Sequence, residues 1–257
     1  MNIDKAIEEF MIYTKPYIAI SDKCALKIDH TLRVVKLCEE IAKSLNFSDE
    51  EVNVAKMIGL LHDIGRFEQW KKYQTFNDLA SADHAHLGVE ILTANNYIRN
   101  YYTDSKYDNI VLSAIAFHNK YKLPNGLSEK EKLFSKIIRD ADKLDILYLY
   151  TIGHININTE EQKMTDKIYS DLISGKEIRR EDKRNKADNL SISLGFIFDI
   201  NFKKSLEILK DENYLNKEID IYINKTNNKE FISQLEEIRK TINNDIEKRL
   251  TYVREKV

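Results

Sequence analysis

Proline and glycine are scarce, two and seven in a chain of 257 residues. So few backbone breakers argue for long helices and against an all-β fold with many tight turns. Cysteine is nearly absent: Cys24 and Cys38 are the whole complement. Two cysteines exclude a disulfide-dense secreted scaffold and any cysteine-built zinc finger. Both fall in one helical pattern and read as small buried residues of a reducing compartment. No apolar run reaches the roughly 18 residues that a membrane-spanning helix needs. Neither sign of charge prevails: 40 Lys and Arg face 42 Asp and Glu, a net charge of −2. That balance gives no footing for nucleic acid or for an anionic membrane. Residues 1–10 carry Asp4, Glu8 and Glu9 and do not read as a signal peptide, so the expected location is the cytoplasm.

What is present is helical periodicity. Hydrophobic residues make up 42% of the chain and charged residues 32%, the balance of a globular protein. His30, Val34, Leu37 and Ile41 step by 4, 3 and 4 along one helix face. Ser48 followed by Glu51 has the form of a capping box that opens a second helix carrying Ala55, Ile58 and His62. A third helix begins near Asp83 and presents His84, Gly88 and Ile91, and a fourth carries Val111, Ala114 and His118. Pro124-Asn125-Gly126 predicts a turn, and Ser128 with Glu131 a second capping box. The fifth helix carries Ile138, Asp142, Asp145 and Leu149. Residues 159–190 are more polar and read as a surface helix pair or a long loop. The charged run Arg179 to Lys186 within them reads first as a solvated face, with a phosphate-binding arm as the minority reading. Leu235, Ile238, Ile242 and Ile246 mark a last amphipathic helix packed on the body. The expectation is one all-α domain over 1–257, with a core at about 20–150 and a C-terminal helical extension at about 155–257.

Chemistry concentrates in the histidines. Of six (30, 62, 84, 86, 118 and 154), four sit on successive helices, on or beside the apolar stripe. A single histidine there is ordinarily a satisfied core residue, and a His-Asp pair such as His62-Asp63 is common by chance. Asp142 on an inner stripe is harder to dismiss, because a buried carboxylate is expensive unless paired or bound to metal. Metal binding resolves that cost for His30, His62, Asp63, His84, His118 and Asp142 together. Imidazole and carboxylate suit Mn, Fe, Ni, Co or Zn. Six ligands exceed what one tetrahedral ion needs, so two divalent ions are the natural count.

The order His30, His62-Asp63, Asp142, with the words "MIGLLHDIGRFEQW", "DHAHLGVEIL", "AIAFHNKY" and "IIRDADKLDIL", resembles the HD-domain superfamily of metal-dependent phosphohydrolases. The resemblance covers roughly residues 20–150 and implies a helical HD-domain bundle. It implies that His30, His62, Asp63 and Asp142 hold a first metal and that His84 and His118 hold a second, with Asp63 as the bridge. His84 is preferred to His86 because the family's histidine lies four residues before a glycine, here Gly88; His86 would then be outer-sphere or exposed. His154 has no partner in the pattern and reads as structural. "HDIGRFEQWKKYQTFNDLASADHAHLGVEIL" looks like a bacterial subgroup known only as predicted phosphohydrolases, so the resemblance names no substrate.

The resemblance and the physics of the site imply hydrolysis of a phosphate ester of a small nucleotide or phosphorylated metabolite by a metal-bridging hydroxide. Asp63, Arg66 and Lys143 are the catalytic candidates. Arg66 would meet a substrate phosphate or form a salt bridge at a helix end. Lys143 would contact phosphate or protonate the leaving group. Asp145 would orient a histidine, or pair with Lys143 or Arg139. Gln69, Tyr73, Thr75, Phe76 and Asp78 fall between two ligand helices and read as a lid over the metals, or as aromatics that pack a loop down. "HNKYKLPNGLS" lacks the Gly-Tyr-Pro word of relatives that cleave cyclic dinucleotides. Two other readings use the same residues: a mixed-valence diiron oxygenase of the HD fold, and a non-catalytic nucleotide-binding sensor.

Overall fold

A computed structural model describes residues 1–159, 161–176 and 178–254; Glu160, Glu177 and the last three residues of the expected C-terminal extension lie outside the described residues. Among the described residues the fold is all-α, without strands. The chain divides into two units, Met1–Asp142 and Lys143–Val257.

The first unit holds α1 (Ile3–Ile18), α2 (Asp22–Ser44), α3 (Asp49–Leu61), α4 (Gly65–Tyr73), α5 (His84–Thr93), α6 (Asp108–Phe117) and the first part of α7 (Glu129–Thr151). Local chemistry sets several of its boundaries. Ser48 and Glu51 close the expected capping box at the start of α3, each side chain bonding the other's backbone N–H. Ser128 and Glu131 do the same before α7. Asp83 caps α5 by accepting from the Ala85 N–H at 3.1 Å.

α2 packs along α3, and α1 lies against both. α2 buries a wider face than its 4-3-4 stripe predicts. Val35 and Cys38 are buried with His30, Val34 and Ile41, whereas Leu37 is only partly covered. A helix with neighbours on two sides needs more than one stripe. Cys24 and Cys38 are both buried thiols, as expected.

α1 was not foreseen from the sequence. It is tied to α4 by an aromatic cluster in which Phe10, Tyr13 and Tyr17 surround Phe67 at centroid distances of 5.8, 6.1 and 5.6 Å. α4 replaces part of the expected lid: Gln69 and Tyr73 are helical, and irregular chain begins only at Gln74, in the left-handed conformation. α4 then meets α5 at very close range. A Cβ on Gly65 would stand 2.2 Å from the His84 carbonyl oxygen and 2.6 Å from the Gly88 nitrogen. Glycine at 65 is therefore what lets the start of α5 approach the end of the His62-Asp63 turn.

The second unit holds the rest of α7 with α8 (Asp166–Ile173), α9 (Ser191–Leu194), α10 (Lys203–Asp211), α11 (Tyr214–Ile223) and α12 (Lys229–Arg254). Leu235, Ile238, Ile242 and Ile246 are all buried on α12, which packs on α8, α10 and α11. The polar stretch 159–190 contains α8 followed by short turns. Within its charged run, Arg179, Arg180, Glu181, Arg184 and Lys186 are exposed. Glu218 of α11 is fully buried, accepting from the Ser193 hydroxyl at 2.6 Å through one oxygen while the other has no hydrogen-bond partner. No helix among the described residues is long and apolar enough to cross a membrane.

Candidate metal centre

Four helices of the first unit each deliver a histidine to one place. His30 lies within α2, His62 and His118 at the C-terminal ends of α3 and α6, and His84 at the first turn of α5. All four are buried, as is Asp63; Asp142 keeps a fifth of its side chain exposed. The Nε2 atoms of His30 and His62 are 3.3 Å apart, and those of His84 and His118 are 3.0 Å apart. Asp142 Oδ1 is 3.2 Å from His30 Nε2 and 3.8 Å from His62 Nε2.

Asp63 stands between the two histidine pairs and turns one oxygen to each. Its Oδ2 lies 3.6 and 3.7 Å from His30 and His62 Nε2, and its Oδ1 lies 3.3 and 3.9 Å from His84 and His118 Nε2. Two groups suited to a metal ion result, His30–His62–Asp63 and Asp63–His84–His118, with Asp63 common to both.

The ring tautomers follow from the partners of Nδ1. A carbonyl oxygen only accepts, so His62 Nδ1 donates to the Gly59 carbonyl at 2.8 Å and His118 Nδ1 to the Ile115 carbonyl at 2.7 Å. His84 Nδ1 donates to Asp78 Oδ2 at 2.7 Å. In these neutral rings Nε2 carries a bare lone pair. Lone pairs facing each other at 3.0 Å repel unless a cation sits between them. Two nitrogens bound at about 2.1 Å to one ion at a right angle stand about 3 Å apart, so the spacing and the donor chemistry fit a divalent metal.

Electrostatics point the same way. Burial pushes His62 below its ordinary pKa. Burial takes His84 down to about 4, against the opposing hydrogen bond of Asp78. Burial and the neighbouring His62 take His118 down to about 4. The rings are thus held neutral, the form that ligates. Burial works against ionising Asp63, yet the Lys27 ammonium and the Arg66 guanidinium beside it outweigh burial and hold the carboxyl well below its usual range. Asp142 is likewise lowered, the His30 hydrogen bond prevailing over burial.

The structure brings His30, His62, Asp63, His84, His118 and Asp142 together. Arg66 reaches the group through Asp63 Oδ1 at 3.4 Å, and its Nη1 donates to Gln69 at 2.9 Å, the Phe76 carbonyl at 2.6 Å and Asp78 at 2.7 Å. Lys143 belongs to the second unit, where its ammonium lies 2.6 Å from Asp199. Asp145 is buried on α7. His86 is exposed and 3.2 Å from Glu90, and His154 is exposed.

Two residues acquire roles that their sequence positions did not suggest. Asp78, grouped with the lid, holds the His84 ring and is itself held by Arg66 and Gln69. Lys27, one turn before His30, lies 2.7 Å from Asp63 Oδ2. A third acidic group, Asp78–Asp83–His84, is occupied by cations of the chain itself: Arg66 on Asp78 and Lys120 on Asp83.

A helical domain that gathers histidines and aspartates from successive helices into a buried, metal-suited cluster defines a class of metal-binding protein. Residues 28–147 match the family model of the HD domain, so the chain carries an HD domain over those residues. The HD-domain superfamily consists mostly of metal-dependent hydrolases, and its domains bind divalent metals. No solved structure matches the chain.

Proposed function

We propose that the protein is a phosphohydrolase that cleaves a phosphate ester of a small nucleotide or phosphorylated metabolite at a pair of divalent metal ions. The observation that carries this reading is Asp63, one carboxylate with an oxygen turned to each of two histidine pairs. His30, His62, Asp142 and Asp63 Oδ2 would hold one ion; His84, His118 and Asp63 Oδ1 would hold the other. When bound, such ions supply an ionised water at neutral pH and polarise a phosphoryl oxygen.

The chain's own contribution is orientation. The carbonyls of Gly59 and Ile115 and the Asp78 carboxylate fix three of the four rings. Partners of this kind keep the ligating lone pairs aimed and raise their basicity. Arg66 ties Asp63 to Asp78 and to the backbone after α4. Balanced charge over the whole chain favours a small substrate over nucleic acid.

The test is metal content by mass spectrometry in wild type and Asp63→Ala, followed by a phosphoester panel with the loaded wild type. The reading expects about two transition-metal ions per chain, as in two-metal hydrolases, both lost in the variant, and hydrolysis of at least one small phosphate ester. Less than one ion per chain after reconstitution overturns it. So does iron with substrate-dependent O₂ uptake and no ester cleavage.

A further inference from the structure

Lys27 has a position that the two-metal reading does not use. It lies on α2 one turn before His30, and three-quarters of its side chain is covered. Its ammonium sits 2.7 Å from Asp63 Oδ2, the oxygen that also faces His30 and His62. A lysine ammonium and a divalent ion are both positive. They cannot share one carboxylate oxygen at hydrogen-bond distance without strong repulsion. An ion held by His30, His62, Asp142 and Asp63 therefore takes the acceptor on which Lys27 now rests.

The displaced ammonium cannot go far. Its stem is rooted beside His30, and the Phe76 ring stands 5.6 Å from the nitrogen, itself packed on Trp70 at 4.9 Å. The Phe76 ring face attracts the ammonium and keeps it beside the site. Arg66 is tied down through Nη1, which donates to Gln69, Asp78 and the Phe76 carbonyl. Lysine suits an exchange of partners, since its four-carbon stem is flexible and carries three donors.

We infer that Lys27 is a substrate-contacting residue: with the Asp63 oxygen given to a metal ion, its ammonium, held beside that oxygen, meets the phosphoryl oxygens of a phosphate ester. This rests on the phosphohydrolase reading above and adds the residue that would recognise the anion.

The experiment is calorimetric titration of the full-length chain, first with Mn²⁺ and then, once loaded, with inorganic phosphate. Wild type is compared with Lys27→Met and Lys27→Arg, and ³¹P line broadening by bound Mn²⁺ gives a second readout of phosphate approach. Lys27→Met is expected to bind Mn²⁺ at least as tightly as wild type and to bind phosphate about tenfold or more weakly, the loss of one charged hydrogen bond. Lys27→Arg keeps the cation and is expected to recover most of that affinity. Should Lys27→Met fail to fold, as judged by melting of the metal-free protein, Lys27→Gln takes its place. Phosphate affinity unchanged in the uncharged variant overturns the role of Lys27 and leaves the two-metal reading standing. Weakened Mn²⁺ binding in that variant also overturns it, since Lys27 would then only position Asp63. A wild type that takes up Mn²⁺ but neither binds phosphate nor cleaves any ester removes both readings.

Discussion

Asp78 is the side chain on which both the His84 ring and the Arg66 guanidinium depend. His84 and Arg66 together hold its carboxyl below the usual range against the effect of burial. Asp78→Ala should therefore loosen one ring of the His84–His118 pair and leave His30 and His62 untouched. The expected result is a loss of about 10- to 100-fold in affinity for one ion, as for other outer-sphere partners. A two-step Mn²⁺ titration reads it directly, and two unchanged steps would sink the idea. At this scale the clustering of His30, His62, Asp63, His84, His118 and Asp142 was legible because these residues sit beside apolar residues at helical spacing. Lys27 and Asp78 were not, because their roles depend on contacts with Asp63, 36 positions away, and with His84 across an irregular segment. No local pattern records either.

Helix boundaries divide in the same way. α3 and α7 were legible because a capping box is a local signal, and its geometry is present at both starts. Ser48→Ala should cost about 1 kcal/mol of stability, the usual worth of an N-cap, measured by denaturant unfolding with the metal site unaltered. α4 is not anticipated because Gln69 and Tyr73 fall between two histidine-bearing helices and read with Thr75, Phe76 and Asp78 as a lid. Its single buried polar residue, Gln69, is satisfied by Arg66 and Asp78 rather than by water. Gly65 proves to be a packing requirement. Gly65→Ala would drive a Cβ into the His84 carbonyl, and backbone there has no rotamer with which to yield. The variant should lose about 1–3 kcal/mol, as overpacked sites do, with a lower melting temperature and weaker metal uptake. An alanine variant that melts with wild type would show that α4 and α5 can part without harm.

Over the whole chain, the all-α class followed from scarce proline and glycine, and the buried stripe of α12 from its 3-4-4 spacing. The course of residues 159–190 did not, since a polar segment with one short amphipathic helix carries little periodic signal. Nor could the sequence reveal that Glu218 is enclosed. Burial raises its pKa to about 8, only partly offset by the Ser193 hydroxyl. A carboxyl raised in the folded state contributes stability that is complete below the unfolded value near 4.5 and is lost as pH climbs towards 8. Wild type should therefore melt progressively lower from about pH 5 to about pH 8.5, and Glu218→Gln should flatten that decline. Parallel melting curves for the two proteins would show that Glu218 is not the cause. A last consequence concerns heredity. His62 and His118 are aimed by main-chain carbonyls within their own helix ends, whereas His84 is aimed by a side chain. No codon change can delete a carbonyl, so two of the rings have supports that missense variation cannot remove directly. A saturation scan selecting for metal retention should find its most intolerant non-ligand position, outside glycines and the core, at Asp78.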